Sequence, residues 1–138
     1  MNKNFLLIVA AAVTLTACAS GAPKQGDASA AQRYSNYAGT PVDRFTAFRI
    51  SGWTALSRDK LVVWTGVNEA WMLTVWDSCQ DLQFAEGIRL KRTGASVTRS
   101  DMVIVGRDRC PITEIRPIDV KQMQADRAAE RDRGTPPR

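Results

Sequence analysis

Between residues 42 and about 119 the chain alternates short apolar runs with polar, Gly- or Pro-containing turns, the pattern of strands. Phe45-Thr46-Ala47-Phe48-Arg49-Ile50 predicts a first strand that continues past Gly52 toward Trp53. Leu61-Val62-Val63-Trp64 is apolar at consecutive positions, so both its faces should be covered, as in a central strand. In Trp71-Met72-Leu73-Thr74-Val75-Trp76 the two-residue period puts Trp71, Leu73 and Val75 on one face and Trp76 on the other. Ile88-Arg89-Leu90-Lys91-Arg92 alternates apolar and basic, and Thr93-Gly94-Ala95 predicts a hairpin turn into Ser96–Arg99. Met102-Val103-Ile104-Val105 reads as a short strand buried on both faces. Gly106–Pro111 is expected to turn the chain with Cys110 inside the turn, and Ile112–Arg116 to be the last strand, ended by Pro117, which cannot donate to a ladder.

The period then changes. Asp119-Val120-Lys121-Gln122 fits a helix N-cap followed by Gln, and a helix to about Arg131 would bury only Val120 and Met123. The fold expected is mainly β, a small antiparallel β-barrel or sandwich of about six or seven strands with a C-terminal helix. Its β domain would occupy residues 41–119, with a charged helix and tail over 120–138.

The N-terminus follows a different logic. Lys3 precedes an apolar stretch, Phe5 to Val13, about half the roughly 20 residues needed to span a bilayer, as in a secretory leader. Leu15-Thr16-Ala17-Cys18 resembles the bacterial lipobox. That resemblance implies a cleaved signal peptide over residues 1–17, acylation of Cys18 (with palmitate among the acyl groups) and a membrane anchor through that residue. Several acyl chains, at about 0.8 kcal/mol per buried CH₂, hold such an anchor firmly. Ala19-Ser20 follow Cys18 where the inner-membrane retention signal would have Asp, so the same resemblance implies the periplasmic face of the outer membrane. Residues 18–40, small, polar and Gly/Pro-containing, are expected to be the lipidated Cys and a flexible tether, with Tyr34 and Tyr37 beginning to dock on the domain.

With Cys18 lipidated, two of the three Cys remain, and export puts them in an oxidising compartment, so a Cys79–Cys110 disulfide is expected. A redox or metal pair is disfavoured by the missing CxxC spacing and by the absence of any His.

Gly52-Trp53, Val62-Val63-Trp64-Thr65, Asn68-Glu69-Ala70, Cys79 and above all Gly106-Arg107-Asp108-Arg109-Cys110-Pro111-Ile112, followed by Glu114-Ile115-Arg116-Pro117, resemble a family of small proteobacterial outer-membrane lipoproteins known only as a domain of unknown function. The resemblance covers roughly residues 37–122. It implies an exported single domain with a paired Cys and carries no activity, ligand or catalytic residue.

Composition narrows function mostly by exclusion. Without His there is no Ser-His-Asp or Cys-His catalysis. Cleavage of the leader removes Lys3, one of 19 cations set against 14 acids, and leaves a mildly positive chain suited to anionic neighbours. Nucleic acid is not an expected partner in the periplasm.

Four clusters are candidates for a site. Arg107 and Arg109 beside Cys110 could clamp an anion, or could simply solvate a turn tied by Asp108. Arg89 and Lys91, with Arg92 and with Arg99 across the expected hairpin, form the densest basic patch, which could equally be a solvated edge. Trp53 and Trp76 could stack on a ligand, although core packing explains most indoles. Asp77, Asp81 and Glu86 near Cys79 match no calcium-loop spacing, and no catalytic motif supports them. No cofactor, metal or catalytic residue is expected. The chain is expected to be a non-catalytic accessory or binding module of the cell envelope, meeting an envelope protein or an anionic envelope polymer. The alternative is a small-ligand-binding domain or one like the small lipoprotein inhibitors of lysozyme.

Overall fold

A computed structural model describes residues 25–77 and 79–134. The leader, Cys18 and the last four residues lie outside them. Strand β3 (Lys60–Gly66) lies inside the sheet, second from one edge, and its apolar run is buried on both sides: Leu61, Val62 and Val63 are each 0% exposed. Residues of opposite parity must then find two separate cores, and they do.

Six strands form one curled antiparallel sheet in the order β2 (Gly52–Ala55), β3, β4 (Glu69–Val75), β8 (Asp108–Ile118), β7 (Met102–Val105), β5 (Ile88–Lys91). Two short strands, β1 (Arg44–Thr46) and β6 (Ser96–Thr98), make a second sheet. The expected mainly β class with a C-terminal helix is the fold observed, as a half-barrel with eight strands among the described residues. The concave interior is filled by Leu61, Val63, Leu73, Val75, Val103, Val105, Ile112 and Ile115, closed by Phe45 and Val97 from the small sheet and Leu82 from a short 3-10 helix, Gln80–Phe84. Trp71 joins this core half-buried, stacked on Phe45 with ring centroids 4.7 Å apart, and its Nε1 donates to Thr65 Oγ1 at 3.3 Å.

The outer surface of β3 and β4 is covered by helix α2 (Val120–Gly134) through Val120 and Met123, which pack with Leu56, Val62, Ala70, Met72 and Ile118. The Asp119 side chain caps α2, accepting from the Gln122 N–H at 2.9 Å as the sequence predicts. Helix α1 (Gln25–Ser35) and the segment after it reach the same core with Ala31, Tyr34, Tyr37 and Ala38. The docking of Tyr34 and Tyr37 agrees with the sequence. The flexible tether does not extend to residue 40, because residues 25–35 are helical and the chain is held beside β8 by Gly39 N–H to Pro117 O at 2.8 Å and Val42 N–H to Ile115 O at 2.9 Å.

Three local expectations are corrected. Cys110 lies inside β8 and not in a turn, because the turn is only Gly106-Arg107, with Val105 opposite Asp108. Gly106 has φ +57°, the first-position glycine that a tight hairpin needs. Pro117 does not end the strand. Its carbonyl faces Gly39, so its missing N–H also falls on that side and not in the ladder with β4. Finally, Ile88–Arg92 and Ser96–Arg99 are not a hairpin: β5 pairs with β7, and β6 pairs with β1.

Strand β8 changes partners along its length. Asp108–Pro111 pair with β7 and Ile112–Ile118 with β4. The disulfide crosses where the switch occurs. Cys79 and Cys110 are bonded with Cα atoms 5.7 Å apart, both in the interior core.

Candidate functional site

Alternation on three adjacent strands decides which side chains leave the core. On β7, Val103 and Val105 point inward, so Met102 and Ile104 point outward, half-buried, and the strand is covered on one face only. On β5, Ile88 and Leu90 pack on the core and Arg89 and Lys91 are exposed. On β8, Cys110 and Ile112 are inward, leaving Arg109 and Pro111 outside.

Register then sets two rows across the outer face. Arg89 faces Ile104, which faces Arg109. Lys91 faces Met102, which faces Pro111. The second row is extended by Trp76, whose N–H donates to Pro111 O at 3.0 Å and whose neighbour Val75 points into the core. Trp76 is 64% exposed, among the large apolar side chains left in solvent. Strands lie about 4.8 Å apart, so the Arg89 and Arg109 backbones are roughly 10 Å from each other with Ile104 between. Arg89, Leu90, Lys91, Ile104 and Arg109 line an open depression of about 360 Å³.

This face is cationic and uncompensated. Ion pairs join Arg58 to Asp77, Lys60 to Asp59, Arg99 to Asp43 and Arg116 to Glu114, and none of these involves Arg89, Lys91, Arg107 or Arg109. Chemically it offers charge to a phosphate or carboxylate, an apolar floor from Ile104 and Met102, and an indole at its margin.

The sequence candidates therefore divide. Arg89, Lys91, Arg109 and Trp76 come together. Arg107 sits exposed in the hairpin turn and does not line the depression. Trp53 belongs to the opposite side of the sheet, half-buried against the interior core, so it shares no stacking surface with Trp76. Arg92 turns back to donate to the carbonyls of Ala47 and Phe48, and Arg99 pairs with Asp43, so neither joins the patch. Asp77 pairs with Arg58 at 3.0 Å, while Asp81 and Glu86 line a separate shallow hollow with Phe84, Val105 and Gly106. No group of three or more metal-ligating side chains occurs among the described residues. Cys18 lies outside them. Met102, Ile104 and Pro111 are site residues that sequence reasoning missed. An unbroken apolar run looks buried on both faces, and only the basic alternation of the partner strand β5 signalled that one face is open.

Fold and site define a small disulfide-bonded β half-barrel with a cationic outer face that no described element covers. Residues 1–134 match the model of the family of unknown function DUF6491, and the chain belongs to that family. Comparisons with curated proteins and with solved structures found no match.

Proposed function

We propose that the chain is a non-catalytic binding module of the bacterial envelope, lipid-anchored at Cys18, facing the periplasm from the outer membrane, and holding an anionic envelope component on its cationic face. The address rests on Leu15-Thr16-Ala17-Cys18 after a short apolar leader and on the absence of Asp after Cys18. Attachment is assigned to acyl chains on Cys18 by the same likeness to the lipobox.

The observation that carries the binding role is the juxtaposition of Arg89, Lys91 and Arg109 without acidic partners around Ile104. Cations alone would also suit a solvated edge strand such as β5; the apolar floor of Ile104 and Met102 and the exposed Trp76 beside them are what favour binding.

The test is photo-crosslinking in cells from a probe amino acid replacing Ile104, with acyl labelling run in parallel. An anionic envelope component should be captured, and capture should vanish in an R89Q/K91Q/R109Q background. Capture that survives this neutralisation would overturn the binding role. Loss of acyl label in C18A checks the anchor, and label that persists would overturn that assignment.

A further inference from the structure

We infer that the anionic component is the phospholipid surface to which the chain is anchored, so that the domain lies on the bilayer and does not project from it. This rests on the acylation of Cys18 proposed above.

Reach is the first argument. The stretch from Cys18 to the start of α1 at Gln25 spans at most about 25 Å even fully extended, at roughly 3.6 Å per residue. A domain of this size is itself about that wide. With α1 docked through Ala31 and Tyr34, the anchor keeps the half-barrel within about one domain width of the bilayer.

Placement is the second. The interior core is continuous from Leu61 and Leu73 to Val103 and Cys110, so the outer surface of the sheet is continuous as well. The β3–β4 part of that surface is taken by α2 and the segment after α1. Among the described residues, neither α2 nor the N-terminal segment packs over the β7–β5 part.

Chemistry is the third. A bilayer interface takes up amphipathic side chains that keep an apolar body in contact with lipid and a polar or charged end in water. Trp76, Met102, Ile104 and the stems of Arg89, Lys91 and Arg109 supply that combination on one outer face, with no acidic side chain in either row to repel phosphate. A saccharide groove would instead need indoles lining a cleft. Trp76 sits at the margin, while Trp53, Trp64 and Trp71 pack against the two cores.

The experiment uses the full lipidated protein reconstituted with phosphatidylcholine vesicles or with vesicles containing phosphatidylglycerol, both carrying brominated lipid. Trp76 emission is obtained by difference from W76F. Anionic vesicles should quench Trp76 several-fold more than neutral ones, and R89Q/K91Q/R109Q should abolish that difference. These exposed substitutions should leave the melting temperature unchanged, which separates loss of docking from loss of fold.

The two readings fail differently. Co-flotation with both vesicle types but without composition-dependent quenching, or with quenching that survives the triple substitution, overturns docking and leaves the anchor intact. Flotation with anionic vesicles only, with Trp76 quenched, supports docking and overturns the anchor. Flotation with neither overturns both. Charge-dependent sedimentation with isolated wall sacculi, without Trp76 quenching on vesicles, overturns docking in favour of the wall polymer.

Discussion

The Tyr37 hydroxyl donates to Asp126 Oδ2 at 2.8 Å, joining two residues 89 positions apart. One backbone bond runs beside it, from the Asp119 N–H to Tyr37 O at 2.9 Å. Together they tie the entering chain to the start and middle of α2.

Hydrogen bonding to Asp126 raises the Tyr37 pKa above its ordinary value near 10, with desolvation acting in the same direction. A raised folded-state value favours the neutral phenol. The stabilisation is complete below the unfolded value and disappears as pH rises through the folded one. Thermal melts from neutral pH to about 11 should show Y37F less stable than the parent at neutral pH, with the gap closing at the alkaline end. A gap independent of pH would mean the bond does not contribute as described.

Glu114 accepts from Arg116 through both oxygens, Nε at 2.7 Å and Nη2 at 3.2 Å, and this holds its carboxyl below the usual range. Stabilisation from a lowered carboxylate is present above its unfolded value and is lost as pH falls through the folded one. Both side chains are over a third exposed or close to it, at 36% and 34%, so solvent screens the pair and the effect is small. R116Q should be modestly less stable than the parent at pH 7, and the gap should narrow in acid to what the Arg116 Nη1 bond to Gly39 O contributes, as read by urea denaturation at each pH.

Removing the disulfide should cost more. The bond closes a loop with a sequence separation of 31, which chain-entropy reasoning values at roughly 3–4 kcal/mol. Equilibrium denaturation of C79A/C110A should show a loss of that order. A loss below about 1 kcal/mol would mean that core packing alone secures the junction of β8 with its two partners.

Two glycines separate backbone strain from crowding. A Cβ on Gly106 or on Gly87 would meet nothing within 4 Å, but only Gly106 has a positive φ, at +57°. G106A should therefore cost about 1 kcal/mol from the left-handed backbone alone, while G87A should be neutral or slightly stabilising. Equal effects in chemical denaturation would refute the assignment of the Gly106-Arg107 turn.

Much of the architecture was legible because alternation reports burial directly. The consecutive run Leu61-Val62-Val63 required two covered faces, and α2 supplies the second cover with Val120 and Met123, the two residues the pattern singled out. Alternation does not report partners. Ile88 and Leu90 showed which side of β5 is inward but not that the neighbour would be β7, and β6 has only three residues with which to declare its own. Helix α1 was hidden because its interior Ala residues are interleaved with Gly, Asp and Ser, so its local signal is weak and its fixed position comes from docking by Ala31 and Tyr34. The basic residues of the site were visible as residues. That Arg89 and Arg109 flank one isoleucine depends on a register between strands, which no local pattern encodes.

The partner switch within β8 has a consequence for assembly. Strands β2, β3 and β4 can zip through local hairpins, and β5 can wait on β7, but these halves share no strand except β8. Until residues 108–118 are in place, β4 keeps a full unpaired edge, Cys79 lacks the thiol it will join, and the chain entering past Gly39 has no carbonyls to grip. One late segment thus closes the sheet, the covalent staple and the N-terminal strap together. A lesion there should act on all three as a single unit, leaving no stable half behind.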